Sequence, residues 1–419
     1  MNTPKYSIII PTFNGVQYLP TCIETITAQN YKDYELIVSD DHSTDGTREF
    51  LETFEHPNVT VIYPPDSLSM TEHWEWALSH ACGEWQIFVG QDDGLQPYFF
   101  QLADTLIVEA EEKGLRTIMS SRAYFFWKGC EHAYGDIAVG YTAKNKTKVH
   151  NFTIEALKAL LGFQYYFELP QMYTTALFHK NLLDEARSKQ KGKVFSCHPQ
   201  DANLAAIACS LENKYLKSYI PLGWVGSSPK SAGMAISGDS KKAKKEDREN
   251  LELLKKEYEK KVSNSKLKYH ELAGDFSFGN IAIYFWQALL MTQMLRNPRL
   301  NSFLVSKKFK ILFFSSVLYE VKHSKRMASK RAERLVSFNK ILDENRCSSF
   351  SIICTYMLIN VFMLLSMPLI FVYKVLRKVY RLLHRSRITY YVSWCEDANM
   401  DLLKASAFVQ NKITQMIKK

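Results

Sequence analysis

Along the first hundred residues, short unbroken apolar runs alternate with stretches in which apolar residues recur every three or four positions. Tyr6–Ile10, closed by Pro11, reads as a buried strand, and Val16, Leu19, Ile23 and Ile26 then fall on one face of a helix. A second strand is predicted over Glu35–Ser39, followed by a polar turn and a helix carrying Phe50, Leu51 and Phe54. A third strand is predicted over Val59–Tyr63 and a fourth over Trp85–Val89. Between them, Ser69 and Glu72 have the spacing of a capping box for a helix containing Trp74, Ala77 and Leu78, which Gly83 stops. Strands alternating with helices predict a largely parallel sheet covered by helices.

Beyond about residue 115 the pattern loosens into short elements as far as Gly233. Residues 238–262 are almost all charged and predict a solvated helix or linker. A helical region follows, including an amphipathic stretch over Phe303–Val321 with Lys307, Lys308 and Lys310. Ser351–Tyr373 has 23 residues and no charge; as a helix it would reach roughly 34 Å, enough for a bilayer core. Basic residues crowd both its flanks, from Lys325 to Arg346 before it and from Lys374 to Arg387 after it. A simple span would translocate one basic flank, whereas a re-entrant hairpin bent near Pro368 or a helix in the interface would keep both on one side. The sequence leaves these topologies open, with a buried helix as the alternative. The expected organisation is a catalytic domain over 1–235, a charged linker or helix over 236–264, and a helical, membrane-associated region over 265–419.

Charge sharpens this division. The chain has 419 residues and a net charge of +10, yet residues 1–235 carry 19 basic and 27 acidic side chains and residues 236–419 carry 34 and 16. An acidic first half argues against one continuous nucleic-acid groove, and a basic second half calls for an anionic neighbour, here a membrane surface. The eight scattered cysteines contain no CxxC pair and read as mostly reduced core residues. No signal-peptide pattern opens the chain, so the first half is expected in the cytoplasm.

Three polar clusters follow predicted strands: Pro11-Thr12-Phe13-Asn14, then Asp40 through Thr47, then Gln91-Asp92-Asp93-Gly94. Carboxyl ends of parallel strands share one sheet edge, so the clusters should open into one crevice. Neither GxGxxG nor GxxxxGK[ST] is present, which argues against NAD-type cofactors and ATPase chemistry. Paired carboxylates at such an edge suit Mg²⁺ or Mn²⁺ carrying phosphate oxygens.

From SIIIPTFNG through ELIVSDDHSTDGT to GEWQIFVGQDDGLQP, over roughly residues 5–110, the chain resembles glycosyltransferase family 2. The resemblance implies an α/β GT-A fold, Rossmann-like with a mainly parallel sheet, and an inverting transferase using a nucleotide-diphosphate sugar, in the first place a UDP-sugar. It implies that Pro11, Thr12 and Asn14 line the nucleotide pocket and that Asp41 binds the base with Asp40 beside it. Asp92 and Asp93 match the region that contacts ribose and the metal-bound diphosphate, although Gly90 stands where many members have a first Asp. The catalytic base matches Asp201, in His198-Pro199-Gln200-Asp201 before the helix-like ANLAAIACSL, with Gln200 in place of a Glu; His198 receives no role. Asp201 near a helix N-terminus could take the acceptor hydroxyl's proton. Lys230 in GWVGSSPKSAG could pair with the diphosphate from a loop hinged on Gly223, Gly226 and Gly233. The aromatic run Phe163–Phe167 and Glu168–Tyr173 could face the acceptor, with core packing the simpler reading.

The expected function is therefore sugar transfer to a lipid-linked or cell-envelope glycan at the cytoplasmic face of the inner membrane, in polysaccharide biosynthesis. Two alternatives stand beside it. A sugar-phosphate nucleotidyltransferase would want a glycine-rich basic N-terminal loop, which is missing; a non-catalytic membrane scaffold of the same fold would not need Asp41, Asp92 and Asp93, which are present.

Overall fold

The computed structural model describes residues 3–231, 256, 281–292, 295, 302–324, 331–361 and 387–417. The linker predicted over 236–264 apart from residue 256, Gly233, residues 362–373 of the apolar segment and the basic residues from Lys374 to Arg385 lie outside the described residues.

The first half winds as β1 (Tyr6–Thr12), α1 (Leu19–Thr27), β2 (Tyr34–Asp40), α2 (Thr47–Thr53), β3 (Val59–Ile62), α3 (Met70–Ser79) and β4 (Trp85–Phe88). These four strands pair in parallel in the order β3-β2-β1-β4. Successive residues of a strand point to opposite faces. In β1, Ile8 and Ile10 enter one core with α1 and Leu36, while Ile9 enters the other with Trp74 and Phe88. Both faces are therefore covered, which explains why the strands read as unbroken apolar runs. Half of the predicted capping box forms: the Ser69 hydroxyl accepts from the Glu72 amide, and the Glu72 carboxylate accepts from that hydroxyl at 2.6 Å instead of from the Ser69 amide.

The chain continues through β5 (Gly94–Leu95), α4 (Phe99–Glu112), β6 (Thr117–Ser120), β7 (Ala123–Phe126), α5 (Glu131–Tyr134), β8 (Ile137–Lys144), β9 (Thr147–Asn151), α6 (Phe152–Leu160), β10 (Ala176–His179), α7 (Lys180–Lys189), α8 (Gln200–Leu211), β11 (Lys214–Ser218) and β12 (Gly223–Ser227). β10, β6, β11 and β9 extend the first sheet to eight strands, with β10 antiparallel to both β4 and β6. The second sheet has the order β13-β8-β7-β12-β5, where β13 is Arg387–Ser393.

The second half departs from the expected layout. Helices α9 (Ile281–Met291), α10 (Lys307–His323) and α11 (Arg331–Glu344) share one continuous core with α3, α6, α7 and α8. α9 is apolar all round apart from Gln287 and is buried from Ile281 to Leu290. Residues 387–417 are not part of a separate helical region at all. β13 pairs antiparallel with β8 along its length, and α12 (Leu402–Ile417) buries Leu402, Ala405, Val409 and Ile413 in the core of the first half. Trp224 of β12 donates to Ser406 of α12 at 2.9 Å. The boundary expected at residue 235 thus divides a shared core, and the chain's last described residues complete the second sheet.

The cysteines are free, as expected, but only Cys22, Cys130 and Cys197 are buried, while Cys82, Cys354 and Cys395 are exposed. Trp74 and Trp85 are core residues. Among the described residues no helix is long and apolar enough to cross a membrane.

Candidate active site

The carboxyl ends of β1, β2 and β4 bring the three polar clusters together. Gln91 holds the first: its side-chain oxygen accepts from the Thr12 hydroxyl at 2.6 Å and the Phe13 amide at 3.0 Å, and its amide donates to the Phe13 carbonyl at 3.2 Å. Pro11 and Asn14 remain partly exposed, whereas Thr12 is buried. Asn14 lies at a φ of 50°, and its amide donates to the Ser43 hydroxyl while its side-chain oxygen accepts from the Thr44 amide, each at 2.8 Å. First and second loops are thereby locked together.

Asp40 is fully buried and accepts from both the hydroxyl and the amide of Ser43. Burial raises its carboxyl above the ordinary range. It serves the loop rather than the crevice, which displaces the expectation of a donor contact at Asp40. Asp41 is also buried; its carboxylate accepts from the Leu68 amide at 3.0 Å and its own amide donates to the Thr12 carbonyl at 3.1 Å. Lys230 closes the other side, its ammonium 2.9 Å from the Asn14 carbonyl and 3.3 Å from Asp45.

Asp92 and Asp93 have different tasks. Asp93 is fully buried. One oxygen accepts from the Gly90 amide at 2.9 Å and the Thr174 hydroxyl at 2.5 Å, and the other from the Gly226 amide at 2.6 Å. Asp92 accepts from the Ser228 hydroxyl at 2.6 Å and its amide at 3.1 Å, and its carbonyl accepts from Trp127 at 2.8 Å. Burial raises both carboxyls, and the Asp92 charge raises Asp93 further. Both Asp93 oxygens face protein donors that tie β4, β10 and β12 into one floor, so its first visible task is structural. Among the described residues no three His, Cys, Asp or Glu side chains come together to hold a metal. Of the two carboxylates Asp92 is the less enclosed, 7% exposed with both Ser228 bonds on one oxygen, and so fits better a cation that arrives on a diphosphate.

The departure at Gly90 has a local cause. A Cβ there would lie 2.3 Å from the Tyr173 hydroxyl and 2.7 Å from an Asp93 oxygen, so the space of a side chain is already filled by Tyr173. Met172 and Thr174 sit at φ of 49° and 47°, a strained entry to β10 that turns Tyr173 and Thr174 onto Asp93. The Tyr173 hydroxyl is pushed up by burial first, then by the charges of Asp93, Asp92 and Asp201. Asp201 thus lies within electrostatic reach of the same floor.

Asp201 stands in the first turn of α8. Its carboxylate accepts from the Tyr166 hydroxyl at 2.9 Å and from the Ala202 amide at 2.8 Å. Burial raises its pKa, against which Tyr166, the Ala202 amide and the Arg122 charge act. Tyr166 in turn stacks on Phe285 of α9 at 5.9 Å, so the helical second half buttresses this carboxylate. His198 is buried, its imidazole pairs with the Thr71 hydroxyl at 3.1 Å, and burial lowers its pKa to about 3. It stays neutral. Around this carboxylate the aromatic run divides: Tyr166 is core, whereas Phe163 is 77% exposed and Tyr165 41%.

The glycosyl transferase family 2 profile matches residues 7–140, the stretch that builds all three strand-end loops. The chain carries a glycosyltransferase family 2 domain. The PGL/p-HBAD biosynthesis glycosyltransferase of Mycobacterium tuberculosis is 35% identical over 109 residues, 25% of this chain and 40% of its own length. Bacillus subtilis TuaG, named for teichuronic acid biosynthesis, is 30% identical over 92 residues, 22% of this chain and 36% of its own. The chain thus spans well under half of these curated relatives. A crystal structure of S. aureus TarS with UDP-GlcNAc aligns at 16% identity over 82% of this chain and 91% of its own, with a TM-score of 0.43.

Several residues of this family 2 domain and its surroundings were not singled out by sequence: Gln91, Tyr166, Thr174 and Ser228 as hydrogen-bond partners, and Arg122 beside Asp201. Gln91 lay inside a marked polar cluster, Ser228 inside the marked Lys230 loop and Tyr166 inside the marked aromatic run, each without this role. Thr174 and Tyr166 act through contacts between distant strands and helices, which spacing along the chain does not reveal.

Proposed function

We propose that the protein transfers a sugar from a nucleotide-diphosphate donor, in the first place a UDP-sugar, to a hydroxyl of a cell-envelope glycan or its lipid-linked precursor, with inversion. The observation that carries this reading is the meeting of three strand-end loops at one floor, with an acidic side chain in the first turn of α8 within electrostatic reach of it. Pro11, Asn14 and Asp41 belong to the wall on which a nucleotide would lie. Lys230 is placed to exchange its Asn14 and Asp45 partners for phosphate oxygens. Asp92 is the residue that would meet Mg²⁺ or Mn²⁺ brought by the donor, whose chemistry would be to offset charge on the leaving diphosphate. Asp201 takes the proton from the acceptor hydroxyl as it attacks the anomeric carbon; its raised pKa brings it closer to the operating pH, where a general base works best. Tyr166 fixes the carboxylate's orientation. The envelope acceptor is supported by the processes for which the curated relatives are named.

A panel of nucleotide sugars, read by thermal shift with and without Mn²⁺, tests the donor side, because a ligand that binds only the folded state raises its apparent stability. At least one UDP-sugar should raise the midpoint. A shift from none of them would overturn the reading.

A further inference from the structure

Residues 349–361 form a helix whose polarity is inverted. Phe350, Ile353, Cys354, Met357, Leu358 and Val361 fall on one side of it, and all are exposed, Phe350 by 77% and Leu358 by 69%. A surface helix normally turns polar residues outward. The opposite side is held by the protein: Ile352 is buried, its carbonyl accepts from Ser315 of α10 at 3.2 Å, and the Lys322 ammonium lies 4.7 Å from the centre of the Tyr356 ring. The outward face is therefore fixed in place and not free to rotate inward.

We propose that this face docks on a lipid bilayer with anionic headgroups, the helix lying in the interface plane. Two observations select lipid over a protein partner. The first is charge complementarity. Residues 302–361 carry 11 basic and 4 acidic side chains, and Lys307, Lys308, Lys322, Lys340 and Arg346 are exposed on α10, which packs against this helix, and on α11 and the turn that lead into it, while the helix face has no charge of its own. Apolar side chains bordered by lysine and arginine match the acyl and headgroup layers of an anionic leaflet. The second is chain path. Ile352 sits in one core of the protein and β13 in its second sheet, so the described residues before and after 362–386 belong to one packed body. A single crossing between them would put β13 and its partner β8 on opposite sides of a membrane. One-sided attachment satisfies both anchors.

The exposed thiols supply the test. Cys354 lies on the proposed face, while Cys82 and Cys395 are exposed elsewhere. The full-length protein is incubated with phosphatidylcholine vesicles, with and without phosphatidylglycerol, floated, and labelled with a polar maleimide. Flotation with the anionic vesicles, with Cys354 protected and Cys82 and Cys395 still labelled, is the expected result. Phe350→Ser with Met357→Ser should weaken vesicle partitioning about tenfold or more and leave the melting temperature and the donor-induced thermal shift unchanged. That last readout separates this proposal from the transfer chemistry, since either can fail alone. Absence of flotation, flotation with Cys354 still reactive, or concentration-dependent protection of Cys354 without vesicles, the sign of a second copy on this face, would each overturn it.

Discussion

Gly226→Ala should dismantle the floor of the site by moving a backbone amide that holds Asp93. A Cβ on Gly226 would lie 1.7 Å from the Asp92 carbonyl oxygen, against 3.4 Å for the start of ordinary contact. The oxygen is on the backbone and the Cβ is fixed by its own, so no side chain can swing away, and β12 must retreat by roughly the difference. The Gly226 amide then loses its 2.6 Å bond to Asp93. A hydrogen bond to a charged acceptor contributes about 1.5–3 kcal/mol, and overpacking costs about 1–3 kcal/mol. Together they give a destabilisation of about 2.5–6 kcal/mol. Gly140→Ala in β8 is the matched control, because its nearest contacts to an added Cβ are at 3.7 Å or beyond. It should change stability by no more than about 0.5 kcal/mol. Urea unfolding of the three proteins measures both values, and nucleotide binding to Gly226→Ala should be lost in parallel. Equal stability of the two variants, or a loss under about 1 kcal/mol at Gly226, would refute the argument that this close backbone approach sets the floor.

Other expectations follow from the same geometry. Tyr166→Phe removes a hydrogen bond that lowers the Asp201 pKa, so the acid limb of kcat/KM should move to higher pH; a limb that stays put or moves down would exclude the pair as the titrating unit. Lys230→Ala should raise the donor Kd about tenfold, the worth of one charge-assisted bond, with little change in melting temperature because the side chain is 30% exposed; calorimetric titration decides. Leu402→Ala, at a fully buried position of α12, should cost about 2–5 kcal/mol in urea unfolding, although it lies far outside the family match. A cost under about 1 kcal/mol would show that α12 is not part of the first-half core.

The parallel half of the sheet could be read from sequence because β1, β2 and β4 are buried and so appear as apolar runs, while edge strand β3 shows by its β-branched residues. Tyr6–Thr12 and Trp85–Phe88 differ from their expected bounds only at the C-terminal ends, where the next residues already belong to the site. The later strands could not be read this way. β7 buries only alternate residues, and β13 finds its partner β8 across more than two hundred residues of chain. The candidate site was legible as clusters but not as roles. Asp92 and Asp93 look equivalent in sequence; Thr174 and Gly226, donated by other strands, are what turn Asp93 inward. Likewise the reason for Gly90 is the Tyr173 hydroxyl that fills its space, and no local pattern announces it. Uncharged length marked residues 351–373 as a membrane candidate, whereas the return of β13 to the same body limits how that segment can meet a bilayer.

The central claim is that Asp201 is the base opposite a donor held by the strand-end loops. It is tested most directly by sugar transfer in Asp201→Asn, with donor binding followed by thermal shift in the same preparation. Transfer should fall by about 10²–10⁴-fold while the donor still raises the melting temperature as it does in the parent protein. Transfer within a few-fold of the parent, with donor binding intact, would contradict the account.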